Sequence, residues 1–339
     1  MLNDVLSVWL QFGASVLLIG FAGVKLTRYG DVIAEKTGMG GTWVGLILLA
    51  TVTSLPELST GVSAVTFANS PDIAVGDALG SCVFNLVLLV VLDFLHREES
   101  IYNRMHQGHI LSAAFAVVLI GFAGFNILLG DRVEHLAIGH VGLYTPVIVV
   151  IYVLAVRSVF VYERKQRAEL TSAVAKRYPD ITLQQAGLRY AGASLIVVGA
   201  GIWLPFIGVE LAQTMGWHKT FVGTLLIAFA TSVPELVITI AAVRLGALDM
   251  AIGNLLGSNL FDILIIAMDD VLFTAGPILS HVSPLHAVTT LSAMVMTGIV
   301  IIGLLYRPAT RVLKTVGWVS MFLFSVYLLN SYVLYLYGE

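Results

Sequence analysis

The chain has 339 residues, of which 58% are hydrophobic and only 12% charged, with a mean hydropathy of +0.92. A soluble domain carries about twice that charged fraction, so the composition favours a polytopic all-α membrane protein over a soluble helical enzyme. The net charge of −3, without a basic run interleaved with aromatic residues, argues against nucleic acid as a partner, and the single cysteine, Cys82, excludes an internal disulfide.

Ten apolar stretches, each long enough to cross a bilayer as a helix, follow one another along the chain. They lie near residues 5–27, 42–68, 72–94, 108–129 and 140–161, and then near 187–207, 219–243, 249–271, 284–306 and 312–337. A polar interval separates the two groups. We therefore predict ten transmembrane helices in three parts, which are a five-helix repeat over 1–161, a linker over 162–185 and a second five-helix repeat over 186–339. Because no basic leader precedes the first stretch, we expect it to be a retained span.

The same acidic motif occurs once in each group of spans. Thr53-Ser54-Leu55-Pro56-Glu57 recurs 178 positions later as Thr231-Ser232-Val233-Pro234-Glu235. Gly80-Ser81-Cys82-Val83-Phe84-Asn85 recurs 177 positions later as Gly257-Ser258-Asn259-Leu260-Phe261-Asp262. A near-constant offset over this distance indicates an internal repeat. Since each half has an odd number of spans, the second repeat must be inverted in the membrane, an arrangement typical of transporters with a site near the midplane.

The basic residues are distributed unevenly between the two predicted sides of the membrane. Sixteen of the eighteen Lys and Arg residues fall in loops on one side, and only Arg132 and Lys219 fall on the other. Basic loops stay in the cytoplasm, so the pattern predicts a cytoplasmic linker and extracytoplasmic termini. The short loops are typical of a prokaryotic protein, for which we expect a multi-pass location in the inner or plasma membrane.

The repeated clusters place oxygen donors on shared helix faces. Thr53 and Ser54 lie four and three positions before Glu57. Ser81 lies four positions before Asn85 on the next span, so each set shares one face. The second half repeats the pattern with Thr231, Ser232 and Glu235, and with Ser258 and Asp262. Carboxylate, hydroxyl and amide oxygens suit hard cations such as Ca²⁺ and Na⁺.

Each acidic motif contains a proline that is expected to break its helix. Pro56 and Pro234 each remove one helix hydrogen bond and displace the carbonyl four residues earlier. A lone proline kink or a protonated packing glutamate is the structural alternative, but the duplication of both elements favours a site. Three carboxylates on these helices repel one another in a low dielectric, so bound cations or protons must offset them.

Other polar residues in the spans are predicted to have structural roles. The glycines at 76, 80, 253 and 257 are expected to allow close helix packing. Asp72 and Asp249 are predicted to be solvated helix caps. Asp93, Asp269 and Asp270 lie near span ends and are predicted to face water. His106 and His109 are predicted to lie at the membrane interface, and neither is predicted to bind metal.

The paired T-S-x-P-E and G-S-x-x-F-[N/D] elements resemble the two α-repeats of the sodium/calcium exchanger family, within the cation/calcium antiporter superfamily. The resemblance covers both halves and implies alternating access, in which a central site binds Ca²⁺ and Na⁺ in turn. It implies ion-binding acidic and amide positions at Glu57, Asn85, Glu235 and Asp262. It implies hydroxyl positions at Thr53, Ser54, Ser81, Thr231, Ser232 and Ser258, and backbone carbonyl positions near Ala50 and Ala228.

The chain departs from the family pattern at four positions. Val52 and Ala230 stand where the family often has glycine before each Thr-Ser. Asp77 and Cys82 stand where the family commonly has asparagine, whereas the second repeat keeps asparagine at both places. The departures bear on the local backbone and on the ion that is chosen, and Asp77 adds a titratable group near the site.

The sequence therefore predicts a secondary-active antiporter that exchanges Ca²⁺ for Na⁺, works within the lipid bilayer without a cofactor or obligate protein partner, and is not an enzyme. Coupling to H⁺ in place of Na⁺ stays open, as does transport of K⁺. A passive cation channel is less favoured because the polar residues cluster at mid-depth between apolar flanks. A membrane-embedded aspartyl protease is weakly indicated by Gly76-Asp77, since no second matched aspartate follows.

Overall fold

The computed structural model describes residues 2–37, 50–96, 100–104, 108–167, 180–244, 248–307, 311–312 and 316–337. These residues form an almost entirely helical protein with two short hairpins. The first half contains α1 (Leu2–Lys36), α2 (residues 50–53), α3 (Leu55–Thr66), α4 (Pro71–Leu95), α5 (Ile101–Arg104), α6 (Gly108–Leu129), β1 (Ala137–Ile138), β2 (Val141–Gly142) and α7 (Tyr144–Arg167). The second half contains α8 (Leu183–Met215), α9 (Lys219–Phe221), a π-helical turn (Val222–Ile227), α10 (Ala228–Thr231), α11 (Val233–Arg244), α12 (Leu248–Leu272), α13 (His286–Tyr306), β3 (Arg311–Val312), β4 (Val316–Gly317) and α14 (Trp318–Tyr337). Short 3-10 turns at Gly130–Leu136 and Ile278–Ser280 complete the described elements.

Among the described helices, eight are long and apolar enough to cross a membrane, and a ninth span results if the bent pair Lys219–Thr231 and Val233–Ala241 is counted as one. These nine correspond to nine of the ten predicted stretches. The other stretch, 42–68, begins with residues 42–49, which lie outside the described part. The total of ten spans and their inverted arrangement stay predictions.

Helices α4 and α12 form the centre of the molecule. Of the apolar windows that define the spans, 72% of the α4 window and 83% of the α12 window are buried, against 22–28% for α1, α7 and α14. A span whose surface is covered on all sides by protein is free to carry polar groups that lipid would not tolerate. The two buried helices are the ones that carry the G-S-x-x-F-[N/D] elements.

The helices on either side of the predicted linker 162–185 extend into it. α7 continues to Arg167, and α8 begins at Leu183. Thr182 caps α8 through a reciprocal capping box with Gln185, and Gly216 ends that helix in the left-handed conformation. The middle of the linker, 168–179, lies outside the described residues.

A buried aspartate in the second half anchors the hairpin before α7. Asp270 accepts hydrogen bonds from the Gly142 amide at 2.9 Å, the Thr145 hydroxyl at 2.5 Å, the Ile278 amide at 2.7 Å and the Tyr144 hydroxyl. The prediction that Asp270 faces water is wrong. Its carboxylate points into the protein, where it accepts hydrogen bonds from β2, from the start of α7 and from the turn that follows α12.

The first half has a matched anchor 177 positions earlier. Asp93 is also fully buried, contrary to prediction, and accepts from the Gly317 amide and the Ser320 hydroxyl, each at 2.8 Å, and from the Ile101 amide at 3.4 Å. Each anchor therefore joins the end of a central helix to a hairpin that comes before a peripheral helix. In both anchors, the hairpin belongs to the other half of the chain from the aspartate.

Two histidine–aspartate bridges also connect the halves. His286 Nε2 lies 3.1 Å from Asp72 Oδ1, which accepts the Ser283 amide at 2.8 Å, and His109 Nε2 lies 3.0 Å from Asp249 Oδ1. Asp72 and Asp249 were predicted to be solvated caps. Asp249 is exposed, as predicted, and also pairs with His109, whereas Asp72 is mostly buried by its pairing with His286. The bridges place the start of α4 beside the chain that follows α12, and the start of α12 beside the chain that follows α4. The two central helices are therefore antiparallel.

The two bridges are expected to differ in strength. The side chains of His286 and Asp72 are 0% and 24% exposed, whereas that of Asp249 is 58% exposed and more strongly screened by solvent. We expect Asp72→Ala to lower the free energy of unfolding by about 1–3 kcal/mol because it leaves buried donors unpaired. The matched Asp249→Ala should cost less than about 1 kcal/mol. Thermal unfolding of both variants in detergent measures the difference, and equal losses would contradict this ranking.

Candidate cation site

Both acidic motifs interrupt a helix at the serine, as predicted. Ser54 and Ser232 leave helical geometry with nearly the same backbone angles (φ −85°, ψ 14° and φ −84°, ψ 9°). A new helix then begins with proline near its start, a position where the missing N–H is not needed. In the second half, the segments on either side of the break are bent by 43°. Each break therefore brings a helix N-terminus to the middle of the bundle.

The glutamates lie in the first turns of these new helices. Glu57 is in the first turn of α3 and Glu235 in the first turn of α11, and both are at most 2% exposed. The positive end of the helix dipole favours a carboxylate at this position. The sequence pattern Pro-Glu after a break thus builds a buried acidic group that is partly stabilised by its own helix.

Hydroxyl groups from both halves of the chain lie beside the Glu57 carboxylate. Ser232 Oγ, from the second half, lies 3.4 Å from Glu57 Oε1 and 3.1 Å from Ser81 Oγ. The Thr231 side chain also interacts with the Glu57 carboxylate. Hydroxyls predicted from separate motifs therefore meet at one carboxylate.

A matched group lies around Glu235. Ser258 Oγ lies 3.4 Å from Glu235 Oε1 and 3.5 Å from Thr53 Oγ1, which belongs to the first half. Thr53 also interacts with the Glu235 carboxylate. Thr53 and Ser258 correspond to Thr231 and Ser81 of the first group, whereas the hydroxyl of Ser54, the counterpart of Ser232, has no partner among the described residues. The cluster is thus built from both halves.

Five buried oxygen atoms of the predicted site residues have no hydrogen-bond partner within the described part of the chain. They are Glu57 Oε2, Glu235 Oε2, Asp262 Oδ1, Asn85 Oδ1 and Ser54 Oγ. Buried polar atoms are nearly always paired, and leaving one unpaired costs about 1–3 kcal/mol. Three carboxylate oxygens, one amide oxygen and one hydroxyl therefore remain available, and this is a donor set that suits a hard cation.

Asn85 is held in place by its counterpart region on α12. Its Nδ2 donates to Asn259 Oδ1 at 3.0 Å, and Asn259 Nδ2 donates to the Cys82 carbonyl at 3.1 Å. Cys82 Sγ lies 3.8 Å from Asp262 Oδ2. Neither Cys82 nor Asn259 was among the predicted site residues. Both residues orient the predicted donors at the crossing of α4 and α12.

Asp77 is a further acid in the cluster. Its Oδ1 accepts the Thr231 hydroxyl at 2.8 Å, its Oδ2 has no partner among the described residues, and its side chain is 1% exposed. The substitution of aspartate for the family's usual asparagine was the signal in the sequence, but the contact crosses between the halves and no spacing predicted it.

The backbone carbonyl oxygens that were predicted to bind the cation, those of Ala50 and Ala228, lie one helical turn before each break. The Ala50 carbonyl accepts the Thr53 hydroxyl at 3.1 Å and the Ser54 amide at 3.0 Å. The Ala228 carbonyl accepts from the corresponding residues at 3.2 Å and 3.0 Å. Both carbonyls border the cluster, and in this structure both are engaged within their own helix.

Glycines bring these segments close to the central helices. A Cβ on Gly80 would lie 2.7 Å from the Ala228 Cβ and would clash with the Thr224 carbonyl. A Cβ on Gly257 would lie 3.2 Å from the Ala50 Cβ. The predicted packing role is confirmed for these two positions, since any side chain at Gly80 would push α4 away from the second break.

The cluster is strongly acidic. Glu57, Asp77, Glu235 and Asp262 repel one another, and no lysine or arginine is found among the described buried residues. Within the described part, no group of three His, Cys, Asp or Glu side chains is arranged to hold a metal by itself. A bound cation therefore needs the hydroxyl and amide oxygens as well as the carboxylates.

Comparison with known proteins agrees with this chemistry. The family described as "Sodium/calcium exchanger protein" matches residues 7–161 and 186–334. The chain belongs to this family. The two matched regions contain both breaks and both central helices, and they leave out the polar interval between the halves.

One bacterial and one archaeal relative each match most of the chain. Inner membrane protein YrbG of Escherichia coli is 26% identical over 304 residues, 89% of this chain and 90% of that protein. Sodium/calcium exchanger MaX1 of Methanosarcina acetivorans is 25% identical over 273 residues, 70% of this chain and 74% of that protein.

Solved exchanger structures share the fold. A structure of the sodium-calcium exchanger NCX_Mj superposes with a TM-score of 0.62 at 19% identity, over 96% of this chain and 98% of the other. The H⁺/Ca²⁺ exchanger CAX superposes with a TM-score of 0.70 at 14% identity, over 96% of this chain and 81% of the other. At such identities the likeness concerns the fold alone, and it covers almost the whole chain.

Proposed function

We propose that this family member is a secondary-active antiporter that exchanges Ca²⁺ for Na⁺ by alternating access at the cluster between the two breaks. The observation that carries the proposal is the set of five unpartnered buried oxygens contributed by matched elements of both halves. A hard divalent cation takes six to eight oxygen ligands, and such a cation would offset the repulsion between the carboxylates.

Each group of donors has a distinct role in this proposal. Glu57 and Glu235 bind Ca²⁺ from opposite sides, because each has one oxygen oriented by a serine hydroxyl and a second oxygen without a partner. Asp262 and Asn85 form a neighbouring position for a monovalent ion. The neutral hydroxyls and the Ala50 and Ala228 carbonyls complete the coordination of Na⁺, which needs fewer charged ligands than Ca²⁺.

A second candidate is exchange of Ca²⁺ for H⁺. It is favoured by Asp77, which adds a fourth buried carboxylate to the three predicted ones. One Ca²⁺ neutralises two negative charges, so two carboxylates remain that require protons or further cations. The same site would then bind protons in the step in which Na⁺ would otherwise bind.

Gradient-driven uptake distinguishes the two candidates. We expect proteoliposomes loaded with Na⁺ to accumulate radiolabelled Ca²⁺ when they are diluted into choline buffer at equal pH on both sides. A pH gradient in the complete absence of Na⁺ should give no accumulation above protein-free liposomes. Uptake driven by the pH gradient alone would favour the second candidate, and uptake without any counter-ion gradient would favour a channel. Replacing Na⁺ by K⁺ in the same assay tests whether K⁺ is carried.

The proposal includes a location in the inner or plasma membrane with both termini outside the cytoplasm. It is supported by the concentration of basic residues in loops on one side and by the inner-membrane relative of Escherichia coli. A cysteine introduced at the C-terminus in a Cys82→Ser background should react with an impermeant thiol reagent in intact cells. Labelling only after lysis would reverse the orientation.

A further inference from the structure

A further buried acid lies outside the cation site. Asp269 is on α12, seven residues after Asp262, so it lies on nearly the same face of the helix and about 10 Å further along its axis. Its side chain is fully buried, and neither carboxylate oxygen has a hydrogen-bond partner among the described residues. The sequence had predicted that this residue faces water, and that prediction is wrong.

The next residue in the chain shows how unusual this environment is. Asp270 is equally buried but accepts four hydrogen bonds, as described above. Asp269 lies instead against Gly61 of α3, where a Cβ would be 2.9 Å from Oδ1. Gly61 leaves room for the carboxylate but has no side chain that could donate to it.

The titratable groups around Asp269 do not compensate a negative charge. They are Asp270 on its own helix, Glu57 one turn before Gly61 on α3, Asp77 on α4, and Tyr144 on α7, whose hydroxyl bonds to Asp270. An ionised carboxylate without a partner in this interior is unfavourable by several kcal/mol. The neutral acid avoids this penalty, so Asp269 requires a proton.

Asp269 also departs from the internal repeat of the sequence. The residue 177 positions before Asp269 is Leu92, and the residue 177 positions after Asp77 is Asn254. Because α4 and α12 are antiparallel, Asp77 and Asp269 lie on the same side of the cation site, the side on which α4 begins. The corresponding places on the opposite side hold the neutral residues Asn254 and Leu92.

We propose that Asp269 is a proton-binding site, separate from the cation site, that exchanges its proton with the side of the membrane on which α4 begins. Binding forms an O–H bond on the carboxylate with a proton from water, and release returns that proton to water. Asp77 repels both Glu57 and Asp269, so a cation that binds beside Glu57 changes the electrostatic potential at Asp269. This inference does not depend on which ions are exchanged.

Infrared spectroscopy of the full chain in lipid tests the proton directly. At neutral pH in choline buffer, the carbonyl stretch of protonated carboxylic acids should be weaker in Asp269→Asn than in the unmodified protein by the intensity of one carboxyl group per chain. The control Asp131→Asn, at an exposed acid, should leave the band unchanged. The acids of the cation site are present in all three proteins and cancel in the difference.

Two outcomes would overturn the proposal. An unchanged band in Asp269→Asn would mean that Asp269 is ionised at neutral pH. Adding Na⁺ could also remove one carboxyl group's band intensity from the unmodified protein but not from Asp269→Asn. That result would mean that Asp269 binds a metal cation. Asp269→Leu, which introduces the residue found at the matched position 92, should show the same loss of intensity and serves if the asparagine variant does not fold.

The predicted sidedness has its own test. In right-side-out and inside-out membrane vesicles, the effect of external pH on Ca²⁺ uptake should be lost in Asp269→Asn for one orientation only. Loss in both orientations, or in neither, would contradict access from a single side. The infrared readout needs no transport, so failure of the proton site and failure of the proposed exchange are distinguishable.

Discussion

Glu57→Gln and Glu235→Gln are each expected to abolish Ca²⁺ uptake into vesicles while the protein stays folded. Glutamine keeps the size of the side chain and one oxygen acceptor but removes the negative charge that faces the ion. Even residues that only orient metal ligands cost about 10–100-fold in affinity when they are changed, so loss of a charged ligand should weaken Ca²⁺ binding by at least about 100-fold. Calorimetry on the purified variants measures this loss.

Glu134→Gln provides the matched control, because Glu134 is an exposed acid in the 3-10 turn Gly130–Leu136. It should bind and transport Ca²⁺ as the unmodified protein does. Because Glu57 and Glu235 occupy corresponding positions in the two repeats, their variants should lose similar amounts of Ca²⁺ affinity. Retained exchange in either variant would refute the assignment of that glutamate.

Asp270→Ala is expected to be the most destabilising change outside the cation site. It removes the acceptor of four hydrogen bonds and leaves the donors of Gly142, Tyr144, Thr145 and Ile278 unpaired in a buried place. Each buried donor left without a partner costs about 1–3 kcal/mol, so the free energy of unfolding should fall by at least about 3 kcal/mol. The measurement is denaturant or thermal unfolding in detergent.

The first half supplies an internal comparison for this prediction. Asp93→Ala removes the acceptor of at least three hydrogen bonds, from Ile101, Gly317 and Ser320. It should therefore also lower the free energy of unfolding, by at least about 2 kcal/mol. Asp131→Ala, at an exposed acid, should change the free energy of unfolding by less than about 0.5 kcal/mol. If Asp270→Ala unfolded at the same temperature as Asp131→Ala, the anchoring role would be wrong.

The residues of the candidate site could be proposed because the same motif occurs twice, and the proline in each motif marks the break that the structure contains. The break at Ser54 puts Thr53 and Glu57 on different helices, however, and Thr53 interacts with the Glu235 carboxylate. Duplication then indicated that the two motifs work together. These features are local, so one sequence is enough to show them.

Contacts between the halves could not be predicted from spacing within a motif. Nothing in the local pattern indicates that Asp77 accepts the Thr231 hydroxyl or that Asn85 donates to Asn259. Such pairs depend on how α4 crosses the second half of the chain. The offset of 177 did relate Asp72 to Asp249, but their histidine partners became visible only once the antiparallel packing of the central helices was known.

Acids near span ends were misjudged for a related reason. Distance from the centre of a hydrophobic stretch was taken to indicate contact with water. Asp93 and Asp270 are buried because backbone donors of the hairpins need acceptors there, and the hairpins are too short to be recognised in the sequence. Asp269 is buried because Gly61 leaves space for it on a neighbouring helix.

The central claim is that oxygen donors from both halves form one cation site, and locating the ion tests it most directly. Crystals soaked in Sr²⁺ as a substitute for Ca²⁺ should show one anomalous peak bonded to carboxylate oxygens of both Glu57 and Glu235, at distances slightly longer than the about 2.3–2.6 Å of Ca²⁺–oxygen bonds. The peak should weaken when Na⁺ is raised. A peak elsewhere, or two carboxylates that stay without an ion at saturating Sr²⁺, would contradict the account.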